Sequence, residues 1–296
     1  MIPGLLLVDK PTGPTSHDMV GRGRRVLGTR RVGHAGTLDP LASGLLILGV
    51  ERGTKLLGHL SLADKTYLAT IRLGASTTTD DSQGDVVTSA DASGVTDAAI
   101  GAGVSVLTGD LMQVPSSVSA IKVDGKRAYE LVRAGETVTL AARPVTVSRF
   151  DILDTRRKGE TIEVDVLVDC TTGTYIRALA RDLGAALGVG AHLTALRRTR
   201  IGPFDIADAI DLWPMGPDDR GAAQALILPA ARAAELSFPT REASADEARD
   251  LSYGRPLAAV GINGTYAVLD SDGELLALLA EVDERAKPVL VWHAAS

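Results

Sequence analysis

The sequence predicts an α+β fold: a mixed, largely antiparallel sheet domain with an inserted lobe, followed by a small β-rich C-terminal domain. Three observations predict it. Over residues 1–237, short apolar or alternating runs that read as strands are interleaved with amphipathic helical segments, a pattern that builds a sheet with helices packed on it. Residues 115–144 interrupt that pattern with a mixed segment that reads as an inserted lobe more than as a core layer. After Pro239 the chain changes to short strands separated by Gly and Asp turns. Residues 238–296 are therefore set apart as a β-rich unit near the lower size limit for independent stability.

In chain order, Leu5–Val8 reads as a buried strand and Asp9–Pro14 as a turn-rich loop. Thr15 or Ser16 caps a helix running to about Leu27, with Asp18 well placed in its first turn. Leu45–Val50 is a strand and Thr54–Leu60 a short helix. Lys65–Leu73 alternates as a strand, which puts Lys65 and Tyr67 on one face. Residues 74–94 are rich in Thr, Asp, Gly and Ser and are expected to form an exposed loop. A helix is expected from Thr96 to about Leu107, a strand over Ile162–Cys170, and an amphipathic helix over Thr174–Leu187 ended by Gly188. His192–Ile201 returns as a strand, Gly202-Pro203-Phe204 breaks it, and residues 205–240 are expected to connect to the tail. There, Glu242–Leu251 is a helix, and Leu257–Val260, Thr265–Leu269, Glu274–Leu279 and Val289–Trp292 are strands.

Composition narrows the function. The chain has 296 residues, 45% hydrophobic and 23% charged, in the ordinary globular range, and only 3% aromatic. Its one cysteine, Cys170, excludes an internal disulfide and fits a reducing compartment. No segment has the apolar length of a membrane span and the N-terminus lacks a signal-peptide pattern, so a cytoplasmic location is expected. The net charge of −6 resides in the tail: residues 233–296 hold 5 basic and 11 acidic side chains, whereas residues 1–232 are balanced. Within that first part, basic residues cluster at Arg22, Arg24, Arg25, Arg30 and Arg31, at Lys122, Lys126 and Arg127, and at Arg197, Arg198 and Arg200. Binding to phosphates depends on such local patches more than on net charge, although a single charge run is commonly a solvated face.

The chemistry is narrowed by what is missing. The five histidines (17, 34, 59, 192 and 293) have no metal-ligand spacing, and neither a phosphate-binding glycine loop nor a serine nucleophile elbow is present. What stands out is Gly33-His34-Ala35-Gly36-Thr37-Leu38-Asp39-Pro40-Leu41-Ala42-Ser43-Gly44. Pro40 biases Asp39 towards an extended conformation, and the flanking glycines permit backbone angles closed to other residues. The segment thus presents one carboxylate on a rigid loop leading into the core. By itself it reads equally as an Asx-type turn before a strand.

The stretch Gly33–Pro40 resembles the catalytic motif of the TruB-type tRNA pseudouridine-55 synthases. Asp9-Lys10-Pro11-Thr12-Gly13-Pro14-Thr15-Ser16, Lys65-Thr66-Tyr67, Gly173 to Ala180, Pro115-Ser116 through Tyr129, and Leu196-Arg197-Arg198-Thr199 agree with that family in order and spacing. The resemblance covers nearly all of residues 4–205, and the tail is similar to the PUA-like RNA-binding domain of such enzymes. It implies a pseudouridine synthase catalytic domain over 1–237, with its RNA-gripping lobe at about 115–144, and a PUA-like domain over 238–296.

The resemblance further implies isomerisation of a uridine in the T-loop of tRNA, at position 55, without metal or other cofactor. Asp39 matches the essential aspartate, acting as nucleophile or as base on the sugar. Arg177 matches the arginine paired with it, and Tyr67 the tyrosine stacked on the target base. His34, Lys10, Lys65, Tyr175 and Leu196 match substrate-binding or pocket residues. Arg30, Arg31, Lys122, Lys126, Arg127, Arg197 and Arg198 are expected at RNA phosphates. The expected partner is the tRNA T-arm, bound by a monomer without an obligatory protein partner or membrane. Two other readings are a guide-RNA-dependent pseudouridine synthase and an RNA-binding chaperone of tRNA folding. Glycoside hydrolysis is disfavoured because no second catalytic acid stands at a paired position.

Overall fold

The structure, a computed structural model, describes residues 2–117, 122–123, 126–127 and 140–294. Its main sheet is built from β1 (Gly4–Lys10), β2 (Val32–Ala35), β3 (Ser43–Val50), β4 (Lys65–Leu73), β7 (Gly109–Gln113), β10 (Arg143–Lys158), β11 (Thr161–Cys170), β12 (Ala191–Ile201), β13 (Phe204–Asp205) and β14 (Leu228–Pro229). Between β4 and β7 lie the short strands β5 (Ala75–Thr77) and β6 (Val86–Ser89), and between β7 and β10 the pairs β8 (Lys122–Val123) and β9 (Lys126–Arg127). The strand order is β14-β1-β3-β12-β4-β11-β10-β7, with β2 on β3 and β13 on β12. All pairs are antiparallel except β3 with β12, which run parallel through Ser43↔Arg197 and Gly44↔Arg198. The mixed, mostly antiparallel sheet follows the expectation. That single parallel contact brings the end of the Asp39 loop beside the two arginines.

Two kinds of strand build this sheet. In β1 and β3 nearly every residue is apolar, because both faces are covered. Leu6, Val8, Leu46 and Leu48 pack under α1 (Ser16–Leu27). Leu5, Leu7, Leu45 and Ile47 pack against α2 (Leu57–Leu60) and the C-terminal sheet. In β4 and β11 alternate residues are buried under α3 (Asp97–Val106) and α4 (Ile176–Ala186). Helix α1 starts with a Thr15–Asp18 capping box and ends at Gly28 in the left-handed region.

The second sheet has the order β15-β17-β18-β19-β16, from β15 (Thr240–Glu242), β16 (Leu257–Ala258), β17 (Thr265–Leu269), β18 (Leu275–Val282) and β19 (Arg285–Val291). It follows α5 (Arg220–Ala225) and α6 (Ala230–Ser237) and contains α7 (Ala245–Ser252), which Ser244 caps.

Several expectations change. Residues 74–94 are more than an exposed loop: β5 and β6 form a hairpin, and Thr77 and Asp81 are buried. Residues 205–240 hold α5, α6 and β14, which extends the main sheet at β1. Strand β10 has no sequence counterpart because two bulges break its period-two pattern and its outward positions carry charge, among them Arg149, Asp151 and Arg156. The expected lobe falls mainly outside the described residues; Lys122, Lys126 and Arg127 lie in the β8–β9 pair, and their side chains are outside them too.

Candidate active site

Asp39 lies in the loop between β2 and β3, and five hydrogen bonds from three residues fix the backbone around it. The Ser16 hydroxyl donates to the Leu38 carbonyl (3.1 Å) and accepts from the Leu38 N–H (2.8 Å). The Gly13 N–H donates to the Pro40 carbonyl (2.8 Å). Arg198 donates through Nη2 to the Gly36 carbonyl (2.9 Å) and through Nε to the Leu45 carbonyl (2.8 Å). Gly44 closes the loop at φ +105°, and a Cβ there would stand 2.2 Å from the Arg198 carbonyl oxygen. Only glycine fits that crossing.

The Asp39 carboxylate is 40% exposed and meets Nη2 of Arg177, 5% exposed in the first turn of α4, at 3.0 Å. Arg177 is itself held from behind: Nη1 donates to the Thr79 carbonyl (2.8 Å) and Nε faces buried Asp81 at 3.7 Å. Asp81 is in turn fixed by the Thr79 hydroxyl (2.6 Å) and the Gln83 N–H (3.0 Å). One turn along the helix, Arg181 reaches Asp80 at 3.5 Å and donates to the Val114 carbonyl (2.7 Å). These arginines are therefore fixed by the 77–83 loop and by the end of β7.

Beside the pair opens a cavity of about 270 Å³, with Asp39, Lys65, Tyr67, Tyr175, Leu196 and Arg198 among its walls. Tyr67 is buried; burial pushes its phenol above the ordinary range, while its hydrogen bond to Arg198 pulls the other way. Lys65 faces the same cavity, as its spacing from Tyr67 predicts, and donates to the carbonyls of Ser61 (3.1 Å) and Ala63 (2.6 Å). Burial lowers its pKa to about 8. Tyr175 precedes α4, and its backbone exchanges hydrogen bonds of 2.8 and 3.1 Å with the buried Gln113 side chain. Leu196 packs on the core cluster beneath the cavity.

Two candidates stand behind the cavity and not in its wall. Lys10 is fully buried and donates to the carbonyls of Pro11 (2.9 Å) and Pro14 (2.7 Å), so it shapes the loop that grips Pro40. Burial lowers its pKa to about 8, against the opposing pull of Asp39. His34 sits on β2 opposite Leu48, its Nδ1 buried without a hydrogen-bond partner among the described residues. Burial holds the His34 pKa below the ordinary value.

The basic clusters divide. Arg30 and Arg31 are exposed. Arg198 is 1% exposed and grips the Asp39 loop, which corrects its assignment to a phosphate: strand alternation turns it into the core. Arg197 turns to the other face and pairs with both oxygens of Asp9 (3.0 and 2.6 Å), so its charge is already matched. Among the described residues, no group of three His, Cys, Asp or Glu side chains could hold a metal ion.

Residues 24–176 match the N-terminal domain of the TruB family pseudouridylate synthases. Residues 177–230 match the C-terminal domain of tRNA pseudouridylate synthase B, and 238–293 that of tRNA pseudouridine synthase II. The chain belongs to the TruB family of pseudouridylate synthases. TruB relatives include the tRNA pseudouridine synthase B of Rhodococcus jostii, 57% identical over 99% of this chain and 95% of its own. That of Mycobacterium ulcerans is 53% identical over 99% and 96%. Among solved structures, the Cbf5–Nop10–Gar1 complex superposes at a TM-score of 0.75 with 27% identity, over 98% of this chain and 85% of the other. The archaeal box H/ACA sRNP Nop10–Cbf5 complex gives 0.73 and 25%, over 98% and 86%.

The sequence reading missed Asp81, Thr79 and Gln113. They lie in segments read as loop or left unassigned, and no local pattern marks a polar residue that is buried only by a distant helix.

Proposed function

We propose that the chain converts uridine to pseudouridine in the T-loop of tRNA, at position 55. The observation that carries this reading is the Asp39–Arg177 pair at 3.0 Å beside a cavity walled by Tyr67. The tRNA pseudouridine synthase B relatives, 53–57% identical, support tRNA as the RNA. The C1′–N1 bond breaks, the uracil turns, and C5 bonds to C1′; the C5 proton is released and N1 carries one in the product. A stacked base must be extruded to reach the cavity.

Asp39 acts on the sugar, as nucleophile at C1′ or as base on a sugar proton. Arg177 orients it through a charge-assisted bond while Asp81 and Thr79 keep the guanidinium from turning. Neutral Tyr67 stacks on the base, Leu196 and Tyr175 wall the pocket, and Lys65 fixes the 61–63 backbone at its edge. Lys10 supports the loop and His34 lies under the extruded nucleotide. Arg30 and Arg31, with Lys122, Lys126 and Arg127 of the lobe, meet phosphates. Residues 1–237 form the catalytic unit and 238–296 the PUA-like RNA-binding unit, working as a monomer without a protein partner.

The test is pseudouridine formation on an unmodified tRNA transcript, with Asp39→Asn alongside. Product from the wild type alone, with tRNA bound by both, is the expected result. Product from the mutant removes Asp39 from the centre. The likeness to the Cbf5 complexes favours a second reading, activity only inside a protein–RNA assembly. An inactive purified wild type that still binds tRNA would turn the reading to that assembly or to an RNA-binding chaperone.

A further inference from the structure

Helix α1 begins at the clamp on the Asp39 loop and carries a groove that the pocket chemistry does not use. The groove, of about 370 Å³, is lined by His17, Asp18, Gly21, Arg22, Arg25 and Trp213. His17, Gly21 and Arg25 follow one another at four-residue spacing, so they lie on one line of the helix leading away from Ser16. Gly21 leaves the middle of that line open, with nothing within 4 Å of where a Cβ would stand.

Trp213 forms one wall. It is one of two tryptophans in a chain with 3% aromatic residues. It is 38% exposed while its neighbour Leu212 is fully buried, so Leu212 anchors the segment in the core and the indole is displayed. The Arg22 guanidinium lies over the indole at 5.1 Å. Asp18, the acid in the groove, is engaged by the Thr15 N–H (2.8 Å) and hydroxyl (2.7 Å). The charge left facing a ligand is that of Arg22 and Arg25.

We propose that this groove binds an unpaired nucleotide of the RNA substrate, with its base against Trp213 and its phosphate between Arg22 and Arg25. The proposal rests on the RNA-modifying reading above. Unpaired bases are recognised by stacking on aromatic rings and guanidinium planes, and phosphates by arginine. The groove offers both side by side, on the helix whose first residue, Ser16, holds the catalytic loop at Leu38.

The test is a fluorescence and salt titration of the full chain with an unmodified tRNA transcript. Trp292 is 4% exposed, so Trp213 is the indole that a bound base can reach. The expected result is quenching of tryptophan emission that Trp213→Phe abolishes. Trp213→Leu should weaken binding by about 5- to 150-fold, the range for one stacked base. Arg25→Gln leaves the indole packing intact and should lower the slope of log affinity against log salt by about 1. Absence of quenching together with an unchanged slope in Arg25→Gln overturns the groove. Quenching by polyglutamate but not by RNA overturns it as well, in favour of an acidic protein partner. Wild-type pseudouridine formation, followed in parallel, tells the two failures apart: if product forms while the groove results are negative, only the groove is wrong.

Discussion

The Asp39 loop is anchored to the start of α1, the turn before it and β12, and the C-terminal sheet to β1 and β3, by opposite means. The loop is held by directional bonds: the Ser16 hydroxyl on Leu38, the Gly13 N–H on Pro40, and Arg198 on Gly36 and Leu45. The sheet is held by apolar burial, with Leu275, Leu278 and Trp292 packed on the same cluster as Leu5, Leu7 and Leu45. Hydrogen bonds fix distance and angle, whereas burial is non-directional. The first suits a group that must meet a reacting atom, the second a unit that need only stay attached. Damage to the loop should therefore appear in the rate, and damage to the sheet in stability.

The largest effect is expected at Arg198. Arg198→Met leaves two carbonyls and the Tyr67 hydroxyl without their donor. It should cost about 3 kcal/mol in urea unfolding, and about 10²- to 10³-fold in single-turnover rate through misplacement of Asp39. Arg198→Lys should recover part of both. An unchanged rate would break the comparison on the loop side.

Leu278→Ala tests the other side. It should cost about 3 kcal/mol of stability by opening a cavity, with single-turnover rate at saturating tRNA within about threefold of wild type. A rate loss like that of Arg198→Met would mean the sheet also places the catalytic group. Ser16→Ala comes next. Removing one hydroxyl that both donates and accepts should cost about 1–2 kcal/mol and about tenfold in rate.

The smallest effect is pH-linked. In the folded chain, burial lowers the Lys10 pKa from 10.5 to about 8. Below about pH 8 both folded and unfolded chains hold the proton, and the cost of the buried charge is complete. Between the two values the unfolded chain binds more protons, so this contribution to stability rises with pH. From pH 7.5 to 9 the gain should be about 1 kcal/mol relative to Lys10→Met, read from parallel urea titrations. A falling difference would contradict it.

What could be read from the sequence was what short range decides. The Thr15–Asp18 start of α1 and the shared face of Lys65 and Tyr67 follow from spacing and local hydrogen bonding. The loop presenting Asp39 follows from Pro40 and its glycines. The pairing of Asp39 with Arg177 came from the family resemblance, since nothing local joins them.

Arg198 was misread because Arg197, Arg198 and Arg200 look like one basic run until strand alternation separates the faces. Asp81 was hidden in a polar stretch whose partner helix lies far along the chain; the contact from Thr79 to Arg177 spans 98 residues. The acidity of the tail also gains a local reason. Glu281 accepts from the N–H groups of Val260 (2.7 Å) and Gly261 (2.9 Å), and Glu247 accepts from the Ser244 N–H (2.9 Å), so these acids close turns and caps within the tail.

The grip of Arg198 falls on carbonyl oxygens, which every residue type possesses. The acceptor at position 45 survives exchange among apolar side chains, whereas position 36, at φ +71° with the place of a Cβ 3.3 Å from Arg198 Nη1, is held to glycine. The latitude of the loop therefore lies at its β3 end, where only the main chain is read. Change at position 198 itself has no such latitude, since a single guanidinium spans both sides of the bend.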